Sequence, residues 1–408
     1  MINKISNANV LMNSFYEAKK GCSWKNSVQQ YEANFLKNIR HTQLELREKT
    51  YRQQDFYCFY LKERGKDRYV RSISFYDRVV QRALCDLVNP IVEPYLIHDN
   101  GASVKKKGID FARRRIENHL HKYYRKYGNK GYALVIDFSK FYDNILHKPL
   151  MDMYREIIDD KDIINLINHL VDSFSVDISN YNITENELFD SLAYAKAETE
   201  KTGEKMMHKS LGIGSQISQI SGIYYPSKMD NYCKIVKGIK FYGRYMDDTY
   251  IIGNSKEELK SLCEACHIEV IDVVIQKLEK INPATYIGKG KIEEIKLKLQ
   301  DEMVIFDDEL TQLFRLDKGF TFLKIKYRLT DTGHLVRIPV KKNFIRERRK
   351  LKSFKNLLDK GLIDFHDIEE QYKSWKGNIQ KYDCYKSLKN LDKVFNDLFL
   401  NNNSQNSH

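Results

Sequence analysis

Two adjacent carboxylates, Asp247 and Asp248, are the residues of this sequence whose types and spacing best suit metal chemistry. They interrupt a run of aromatic and β-branched residues, 241–252, which predicts a strand, a tight turn at the Asp–Asp step and a second strand. Adjacent like charges repel each other, so two acids on the tip of an apolar hairpin favour a divalent cation between them. A solvated β-turn is the alternative for an isolated Asp–Asp pair.

A third carboxylate, Asp137, follows an apolar run of strand length, residues 131–136. This arrangement predicts an acid at the edge of a sheet, facing a cleft. Taken alone, Asp137 could equally cap a helix or occupy a turn. Together with the Asp–Asp hairpin, it predicts a site where acids that are distant in the sequence converge.

The two stretches resemble the palm motifs of reverse transcriptases. Residues 245–248 read Tyr-Met-Asp-Asp, the signature of these enzymes, and residues 131–145 are similar to their first palm motif. The resemblance implies that two Mg²⁺ ions, for which Mn²⁺ can substitute, are held by three carboxylates and one carbonyl: Asp137, Asp247, Asp248 and the carbonyl of Phe138. It also implies that Tyr142 lies under the sugar of the incoming nucleotide, where its ring would exclude a 2′-hydroxyl and favour deoxynucleotides.

A basic strand is predicted over residues 68–75, a stretch that contains Arg68 and Arg71 and in which polar and apolar residues are interspersed as in a strand. Asp77 is predicted to cap the helix that follows, residues 78–88, which ends at Pro90. This stretch resembles the first fingers motif of bacterial reverse transcriptases, and by that resemblance Arg71 holds the incoming triphosphate. The alternative is a surface strand with solvated arginines.

A cationic loop comes next, in which Lys105, Lys106 and Lys107 lie between Gly101 and Gly108. Glycines on both sides make a flexible loop that can follow a phosphate backbone without reading bases. The loop stands where the second fingers motif of bacterial reverse transcriptases falls, which favours a contact with the template or the triphosphate. A solvated charged surface is the alternative.

A glycine-containing stretch, residues 211–219, precedes an apolar helix that is predicted to reach Tyr232. Glycines before a helix allow the backbone to approach a nucleotide closely. The stretch resembles the second palm motif in the form, ending Ser-Gln, of retron and diversity-generating enzymes, so Ile213 and Gly214 are expected at the nucleotide site. Ile213 stands where many relatives have Gln, from which we expect looser base contacts and lower fidelity.

The resemblance to reverse transcriptases is interrupted after the Asp–Asp hairpin, which ends at Ile252. Residues 258–313 resemble the N-terminal domain of HflX-type ribosome-associated GTPases, yet no G-x-x-x-x-G-K-[ST] loop occurs in the sequence. Residues 288–291 are therefore not expected to bind a nucleotide, and Asp307 and Asp308 are not expected to be a second catalytic pair. The segment predicts strand, helix and strand, which would replace a missing palm layer if its apolar faces match.

The resemblance to reverse transcriptases resumes at residues 318–324, which are similar to the primer-grip hairpin. Beyond it, a predicted amphipathic helix carries many basic residues, among them Arg346 and Arg349, and the next helix carries residues 371–377. Basic helices with a buried aromatic residue suit a thumb that rides along a primer–template duplex, chiefly through its phosphates. A solvated basic surface is the alternative.

Composition favours a polyanionic partner. The 408 residues include 68 Lys and Arg against 55 Asp and Glu, a net charge of +13, which suits nucleic acid without distinguishing DNA, RNA or ribosome. No apolar run approaches a membrane span, and residues 1–10 show no signal or transit peptide, so we expect a cytoplasmic protein without a membrane partner. The seven cysteines lack framework spacing, so disulfides are not expected.

We therefore expect an α+β right-hand polymerase with fingers, a palm of antiparallel sheet and helices, and a helical thumb. The expected division is an N-terminal helical extension, fingers, palm, HflX-like segment, primer-grip hairpin, thumb and disordered tail: residues 1–66, 67–130, 131–257, 258–313, 314–330, 331–398 and 399–408. Within the palm, a helical segment is predicted over residues 151–174.

The expected activity is RNA-directed DNA synthesis by two-metal nucleotidyl transfer, with an RNA template, a DNA or RNA primer and dNTPs as partners. The family includes retron, diversity-generating, group II intron-like and phage-defence enzymes, so antiviral defence with a dedicated non-coding RNA is compatible with the resemblance. Two other classes stay open. A palm disrupted by the HflX-like segment would leave a catalytically impaired RNA-binding scaffold, and the segment itself could make the chain a ribosome-associated factor.

Overall fold

A computed structural model of the chain describes residues 1–63, 66–138, 141–177, 206–265 and 311–400. These residues form helices and antiparallel sheets, so the fold belongs to the α+β class. No helix of the described ranges is long and apolar enough to cross a membrane. Residues 288–291, Asp307, Asp308 and the tail from residue 401 lie outside the described residues.

The elements are numbered here in chain order over the described residues. The α-helices are α1 (Ile2–Ile5), α2 (Ala8–Lys19), α3 (Asn26–Ala33), α4 (Phe35–Glu48), α5 (Phe75–Val92), α6 (Ile109–Tyr127), α7 (His147–Ile157), α8 (Lys161–Asp172), α9 (Gln216–Tyr224), α10 (Ser227–Asn231), α11 (Lys256–Ala265), α12 (Lys341–Asp359), α13 (Phe365–Ile379) and α14 (Tyr385–Phe399). The strands are β1 (Tyr57–Glu63), β2 (Lys66–Ser72), β3 (Tyr132–Ile136), β4 (Val176–Asp177), β5 (Met206–Met207), β6 (Tyr242–Tyr245), β7 (Asp248–Gly253), β8 (Gln312–Arg315), β9 (Phe320–Phe322), β10 (Ile325–Leu329) and β11 (Leu335–Pro339).

Three N-terminal helices, α1, α2 and α3, pack on the long helix α5. The apolar periodicity of Val28, Tyr31, Phe35 and Ile39 predicts a buried helix face, and three of these residues are buried while Phe35 is half-buried against the core. The prediction of helices as far as residue 66 is wrong at its end, because β1 begins at Tyr57 and pairs antiparallel with β2. Aromatic residues in β1 suit a pleated ribbon better than a helix, which explains the difference.

Helix α5 begins earlier and ends later than predicted. Its N-cap is Ser74, not Asp77, and the Ser74 hydroxyl accepts a hydrogen bond from the Asp77 amide at 3.1 Å. The Asp77 carboxylate instead accepts a hydrogen bond from the Tyr51 hydroxyl at 2.6 Å. Pro90 lies inside the helix, which continues to Val92, because a proline in the last turn removes one backbone donor without ending the helix.

The central sheet has the strand order β6–β7–β3–β8, and each neighbouring pair is antiparallel. Alternate residues of β3 and β7 point to opposite faces, and both faces are buried. Leu134 and Ile251 belong to the core shared with α5, α7 and α8, whereas Ala133 and Ile252 belong to the core formed with α6, β9, β10 and β11. Packing on both sides therefore fixes β3 and β7, and with them the residues at their ends.

The described ends of the HflX-like segment are α11 and β8. β8 is the edge strand of the central sheet and pairs with β3, with Leu313 opposite Leu134. The C-terminal end of the segment thus contributes a strand beside the strand that precedes Asp137. Residues 266–310, which make up the rest of the segment, lie outside the described residues.

Two long helical predictions are each divided in the structure. The segment predicted over residues 151–174 is two helices: α7 ends at Ile157, and the Asp160 side chain caps α8 by accepting hydrogen bonds from two backbone amides. The helix expected to reach Tyr232 is interrupted at Pro226, which separates α9 from α10 and lacks an amide donor.

The C-terminal helices α12, α13 and α14 enclose a small core of their own. Within it, the rings of Tyr372 and Phe395 stack with their centroids 4.5 Å apart. The helices predicted around Arg346 and at residues 371–377 are present as α12 and α13. The division of the chain into fingers, palm and thumb stays a prediction.

Candidate active site

The three predicted acids lie at one edge of the central sheet. β3 ends at Ile136, which is paired with Thr249 of β7. Because the two strands are antiparallel, the residue after Ile136 and the residue before Thr249 lie opposite each other at the same end of the strand pair. These residues are Asp137 and Asp248, and Asp247 directly precedes Asp248. The sheet therefore gathers three carboxylates from two separate parts of the sequence.

The hairpin turn lies one residue earlier than predicted. β6 ends at Tyr245, which pairs with Asp248, so the two loop residues are Met246 and Asp247. Asp248 is the first residue of β7 and not a turn residue. Met246 has a φ of +57°, a conformation that costs a non-glycine residue about 1–2 kcal/mol. Strain of this kind persists only where surrounding contacts hold it.

The electrostatics of Asp248 reflect the crowding of the acids. Burial, and then the charges of Asp247 and Asp137, raise the pKa of Asp248 from 3.8 to about 7, while the ammonium group of Lys324 opposes the rise. Phe138, whose carbonyl is the fourth predicted ligand, follows Asp137 and has a buried ring. Clustered carboxylate and carbonyl oxygens are the ligands that Mg²⁺ and Mn²⁺ prefer, so this donor set fits a divalent cation.

Lys324, whose charge lowers the pKa of Asp248, lies on a strained hairpin tip. Phe322 of β9 pairs with Ile325 of β10, so Leu323 and Lys324 form a two-residue loop. Their φ angles are +46° and +66°, in a kind of turn that normally uses Asn-Gly. Sequence reasoning placed a primer-grip hairpin here but missed Lys324 as a neighbour of the acids, because no local pattern links residues in two different sheets.

A buried arginine holds the carboxylate hairpin from inside the protein. Arg244 on β6 is 1% exposed. Its guanidinium donates hydrogen bonds to the carbonyl of Met246 at 2.9 Å and to the carbonyl of Ile223 at 2.7 Å. The buried carboxylate of Asp230 accepts another at 2.7 Å and balances the charge. Sequence reasoning missed this pair, although a charged residue within an apolar strand is a signal of buried pairing.

The glycine at the start of the cationic loop has a packing role. The Gly101 amide donates a hydrogen bond to the Arg244 carbonyl at 2.9 Å, which fastens the loop to β6. A Cβ atom at Gly101 would lie 2.7 Å from the Cβ atom of Ala112 on α6. The close approach of α6 to the hairpin therefore requires glycine here.

The three predicted lysines of this loop differ in their surroundings. Lys105 and Lys106 are exposed. The Lys107 ammonium group donates a hydrogen bond to the carbonyl of His98 at 2.9 Å and lies 5.2 Å from the centre of the Phe111 ring. Burial lowers the pKa of Lys107. Lys105 and Lys106 are thus accessible to a phosphate backbone, whereas Lys107 mainly fixes the loop.

Tyr142, the predicted sugar gate, packs between the acids and α9. It lies in a short 3₁₀ turn, Phe141–Asn144, and its hydroxyl is 3.8 Å from the Met246 sulfur. A Cβ atom at Gly222 of α9 would lie 3.2 Å from the Tyr142 ring, so the ring rests against a glycine. Burial and the charge of Asp247 raise the pKa of Tyr142 to about 12. A neutral, tightly packed ring therefore stands beside the carboxylates.

Arg71 lies against the loop that leads to α9. Its guanidinium donates hydrogen bonds to the Phe174 carbonyl at 2.8 Å and to the Ser210 hydroxyl at 2.9 Å. The same loop carries the other two predicted nucleotide-binding residues. Ile213 is 39% exposed, and Gly214 has a φ of +99°, a conformation that favours glycine.

The start of α9 is held by Gln81, a buried residue of α5 that sequence reasoning did not single out. The Gln81 side-chain oxygen accepts hydrogen bonds from the Ser215 hydroxyl at 2.7 Å and from the Gln216 amide at 3.2 Å. These bonds satisfy donors at the helix start that would otherwise lack partners. The signal in the sequence was a glutamine among the apolar positions of a predicted helix, where a buried polar side chain needs a hydrogen-bond partner.

The two predicted thumb arginines, Arg346 and Arg349, are exposed on α12. The opposite side of the helix buries Glu347 and Leu351. For the described residues, the structure records no contact between these arginines and the acids. The exposed basic side chains of this helix are Lys341, Lys342, Arg346, Arg348, Arg349 and Lys352.

Residues 253–322 are similar in sequence to known proteins. The family described as GTP-binding GTPase N-terminal matches residues 253–322, which confirms the HflX-like resemblance and extends it beyond residues 258–313 on both sides. GTPase HflX of Caldanaerobacter subterraneus subsp. tengcongensis is 47% identical over 57 residues, and that of Lacrimispora saccharolytica is 45% identical over 60 residues. The first match covers 13% of each chain and the second 14% of each, so this chain spans a small part of these relatives.

A structure of telomerase from Candida albicans, in complex with a TWJ fragment of telomeric RNA, aligns with a TM-score of 0.42 and 13% identity. The alignment covers 85% of this chain and 59% of that chain.

Proposed function

We propose that this chain is an RNA-directed DNA polymerase, a reverse transcriptase, that uses two divalent cations. The observation that carries the proposal is the pairing of β3 with β7, which sets Asp137 opposite Asp248 and beside Asp247. Two-metal nucleotidyl transfer needs carboxylates that converge on one point from fixed elements. The Tyr-Met-Asp-Asp tetrad at residues 245–248 supports the same assignment.

In the proposed reaction, the three carboxylates hold the cations and the Phe138 carbonyl adds a fourth oxygen. When bound, two Mg²⁺ ions would lower the pKa of the primer 3′-hydroxyl and stabilise the charge at the α-phosphate during in-line displacement. Asp248 must be ionised to act as a ligand, so its raised pKa makes a proton compete with the metal near neutral pH. Lys324 adds a positive charge beside the same carboxylates.

The choice of nucleotide would depend on Tyr142. Its ring is packed between the Met246 sulfur and Gly222, and a ring that cannot move aside excludes a 2′-hydroxyl. Arg71 would orient the triphosphate by exchanging its present acceptors, among them the Ser210 hydroxyl, for phosphate oxygens. Ile213 and Gly214 would border the base pair, with the looser contacts of an apolar side chain.

The template and primer would be held mainly through their phosphates. Lys105 and Lys106 are exposed on the loop that is fastened to β6, and Arg346 and Arg349 are exposed on α12. Together with the net charge of +13, these surfaces suit a duplex of RNA template and nascent DNA. A dedicated non-coding RNA, in an antiviral role, is one template that the proposal allows, because the second palm motif has the Ser-Gln form of retron and diversity-generating enzymes.

The test is extension of a DNA primer on an RNA template with Mg²⁺ and dNTPs. We expect the wild-type protein to make cDNA and the variant Asp247→Ala/Asp248→Ala to make none while still binding the template. The matched control is Asp307→Ala/Asp308→Ala, another adjacent pair of acids, which should retain synthesis. If the folded wild-type protein makes no DNA, with added primers and with self-priming templates, the proposal is refuted.

A second candidate is favoured by one specific observation, the family match at residues 253–322. A chain that uses this segment to bind ribosomes would co-sediment with large ribosomal subunits, and deletion of residues 266–310, which leaves β8 and β9 in place, would abolish the association. An RNA-binding scaffold without polymerase activity would instead bind RNA equally well with and without Mg²⁺. The primer-extension result separates both candidates from the polymerase.

A further inference from the structure

Three potential metal ligands converge away from the three acids, on parts of the chain that the polymerase mechanism does not use. His147 is the first residue of α7, Asp172 is the last residue of α8, and His208 follows β5. One ligand atom of each lies within 4.8 Å of the corresponding atoms of the other two. We propose that His147, Asp172 and His208 form a binding site for a divalent transition-metal ion of the Zn²⁺ class.

The backbone brings the two histidines together independently of their side chains. Leu146 and Lys209 form an antiparallel bridge, and the His147 amide donates a hydrogen bond to the His208 carbonyl at 3.1 Å. The two imidazoles therefore project from adjacent, paired positions. A site whose ligands are already held in place loses less conformational entropy when the metal binds.

The hydrogen bond of His147 sets the ring in the state that a metal requires. Its Nε2 atom lies 2.7 Å from the Ser210 carbonyl oxygen, and a carbonyl can only accept, so Nε2 carries the proton. In the neutral ring, Nδ1 then has a lone pair, and this atom faces Asp172 and Ser175. An imidazole that donates its other N–H to a backbone carbonyl is the usual support for a metal-bound histidine.

The distances from the Asp172 carboxylate to the two imidazoles lie on either side of the spacing expected in a metal site, and the shorter one is a hydrogen bond. The Asp172 Oδ1 atom is 2.7 Å from His208 Nδ1 and 3.9 Å from His147 Nδ1, whereas ligand atoms around tetrahedral Zn²⁺ lie roughly 3.3 Å apart. The short distance reflects an N–H donated to the carboxylate. Entry of a metal at Nδ1 would displace that proton, which in a neutral ring moves to Nε2, and would spread this pair of atoms and draw the third ligand closer.

The Ser175 hydroxyl marks the centre of the cluster. Its oxygen lies 2.9 Å from Asp172 Oδ1, 3.2 Å from His208 Nδ1 and 3.4 Å from His147 Nδ1. A metal near this point would displace the hydroxyl from the centre, and it would have two imidazoles, one carboxylate and a fourth position open to the displaced hydroxyl or to water. Imidazole-rich ligand sets select Zn²⁺, Co²⁺, Ni²⁺ or Cu²⁺, whereas Mg²⁺ prefers oxygen ligands alone. The site is therefore chemically distinct from the three acids.

The position of the cluster gives a bound ion a structural role. β4 and β5, which flank residues 178–205, pair next to it, with Val176 opposite Met207. The carbonyl that His147 holds belongs to Ser210, which has a φ of +83° and whose hydroxyl accepts a hydrogen bond from Arg71. An ion bound by His147, Asp172 and His208 would restrain the backbone next to the β4–β5 pair. It would also restrain Ser210, to which Arg71 donates a hydrogen bond.

The experiment is a titration of the tag-free, EDTA-treated full-length protein with Co²⁺, followed by visible absorption and then by displacement with Zn²⁺. We expect one equivalent of tetrahedral Co²⁺, without a sulfur-to-cobalt charge-transfer band and without displacement by millimolar Mg²⁺. His208→Ala and Asp172→Asn should each weaken binding by about 100-fold or more. Both side chains are at least two-fifths exposed, so both variants should fold, which their circular dichroism would verify.

The matched control is His366→Ala, which removes an exposed histidine of α13 that pairs with Glu370. This variant should bind Co²⁺ like the wild type. The proposal is overturned if the wild type binds no tightly held equivalent, or if His208→Ala binds Co²⁺ with unchanged stoichiometry and affinity. A thiolate charge-transfer band that persists in His208→Ala would also overturn it, because the ion would then be held by cysteines. None of these readouts depends on polymerase activity.

Discussion

The substitution Asp248→Asn tests whether the three carboxylates share one site. Burial and the charges of Asp247 and Asp137 raise the pKa of Asp248 from 3.8 to about 7, so the ionised carboxylate is held at a cost to the folded protein. Asparagine keeps the shape of the side chain but carries no charge. The variant should therefore be more stable than the wild type without metal, and it should be inactive because a metal ligand is lost.

The size of the effect follows from the pKa. Each tenfold change in a protonation equilibrium is worth about 1.4 kcal/mol, so a rise of roughly three powers of ten corresponds to about 4 kcal/mol. Counter-ions screen the repulsion, so we expect the free energy of unfolding to rise by roughly 1–3 kcal/mol at about pH 8. Because the folded pKa lies above the unfolded one, the wild type loses this stability as the pH rises from about 4 through 7. The advantage of asparagine should therefore shrink at about pH 5 and vanish below about pH 4.

The assay is denaturant unfolding in EDTA at these pH values, with Asp55→Asn, a substitution of an exposed acid, as the control. Millimolar Mg²⁺ should stabilise the folded wild type by mass action and stabilise Asp248→Asn less. The difference between their free energies of unfolding should therefore become smaller or change sign. The reasoning is refuted if Asp248→Asn is no more stable than the wild type in EDTA at about pH 8, or if its advantage does not depend on pH.

Three further predictions concern the same site. Asp230→Ala leaves Arg244 buried without its counter-charge and should lower the free energy of unfolding by about 3–5 kcal/mol, measurable by denaturant titration; an effect as small as that of a surface substitution would contradict the buried-pair account. Tyr142→Ala should allow ribonucleotides to be incorporated in primer extension with rNTPs, whereas unchanged rejection of rNTPs would show that the ring is not the gate. The rate of polymerisation at low Mg²⁺ should fall as the pH drops through about 7, because Asp248 becomes protonated. The substitution Lys324→Met should move the midpoint of this pH–rate profile to higher pH, because it removes the charge that lowers the pKa of Asp248. A midpoint that moves downward or stays in place would argue against an electrostatic effect of Lys324 on Asp248.

The sequence predicted the strands of the candidate site because their signals are local. Residues 131–136 and 241–252 are apolar, β-branched and aromatic, and they form β3, β6 and β7 as expected. The turn was placed one residue too late, because Asp favours turns by propensity whereas the observed register puts Met246 at a positive φ. The contacts of Arg244 with the Met246 carbonyl and Asp230 override local preference there.

The features that sequence reasoning missed depend on contacts between distant residues. Nothing near Lys324 indicates that its charge acts on Asp248, and nothing near Gln81 indicates that it caps α9 from another helix. Pro90 likewise misled the prediction of where α5 ends, because a proline signals a helix end but does not require one. The sequence predicted that the HflX-like segment would supply a strand to replace a missing layer of the palm. It did not predict that this strand, β8, pairs with β3, because nothing in the sequence of the segment identifies the strand it pairs with.

The most direct test of the central claim is to count coupled cations at the three acids. Electron paramagnetic resonance of Mn²⁺ would be recorded with wild-type protein, primer, RNA template and a non-reactive dNTP analogue. We expect the spectrum of two magnetically coupled ions, about 3.5–4 Å apart, in the wild type and its loss in Asp137→Asn. A coupled pair that survives in Asp137→Asn, or its absence from the wild-type complex, would contradict the account.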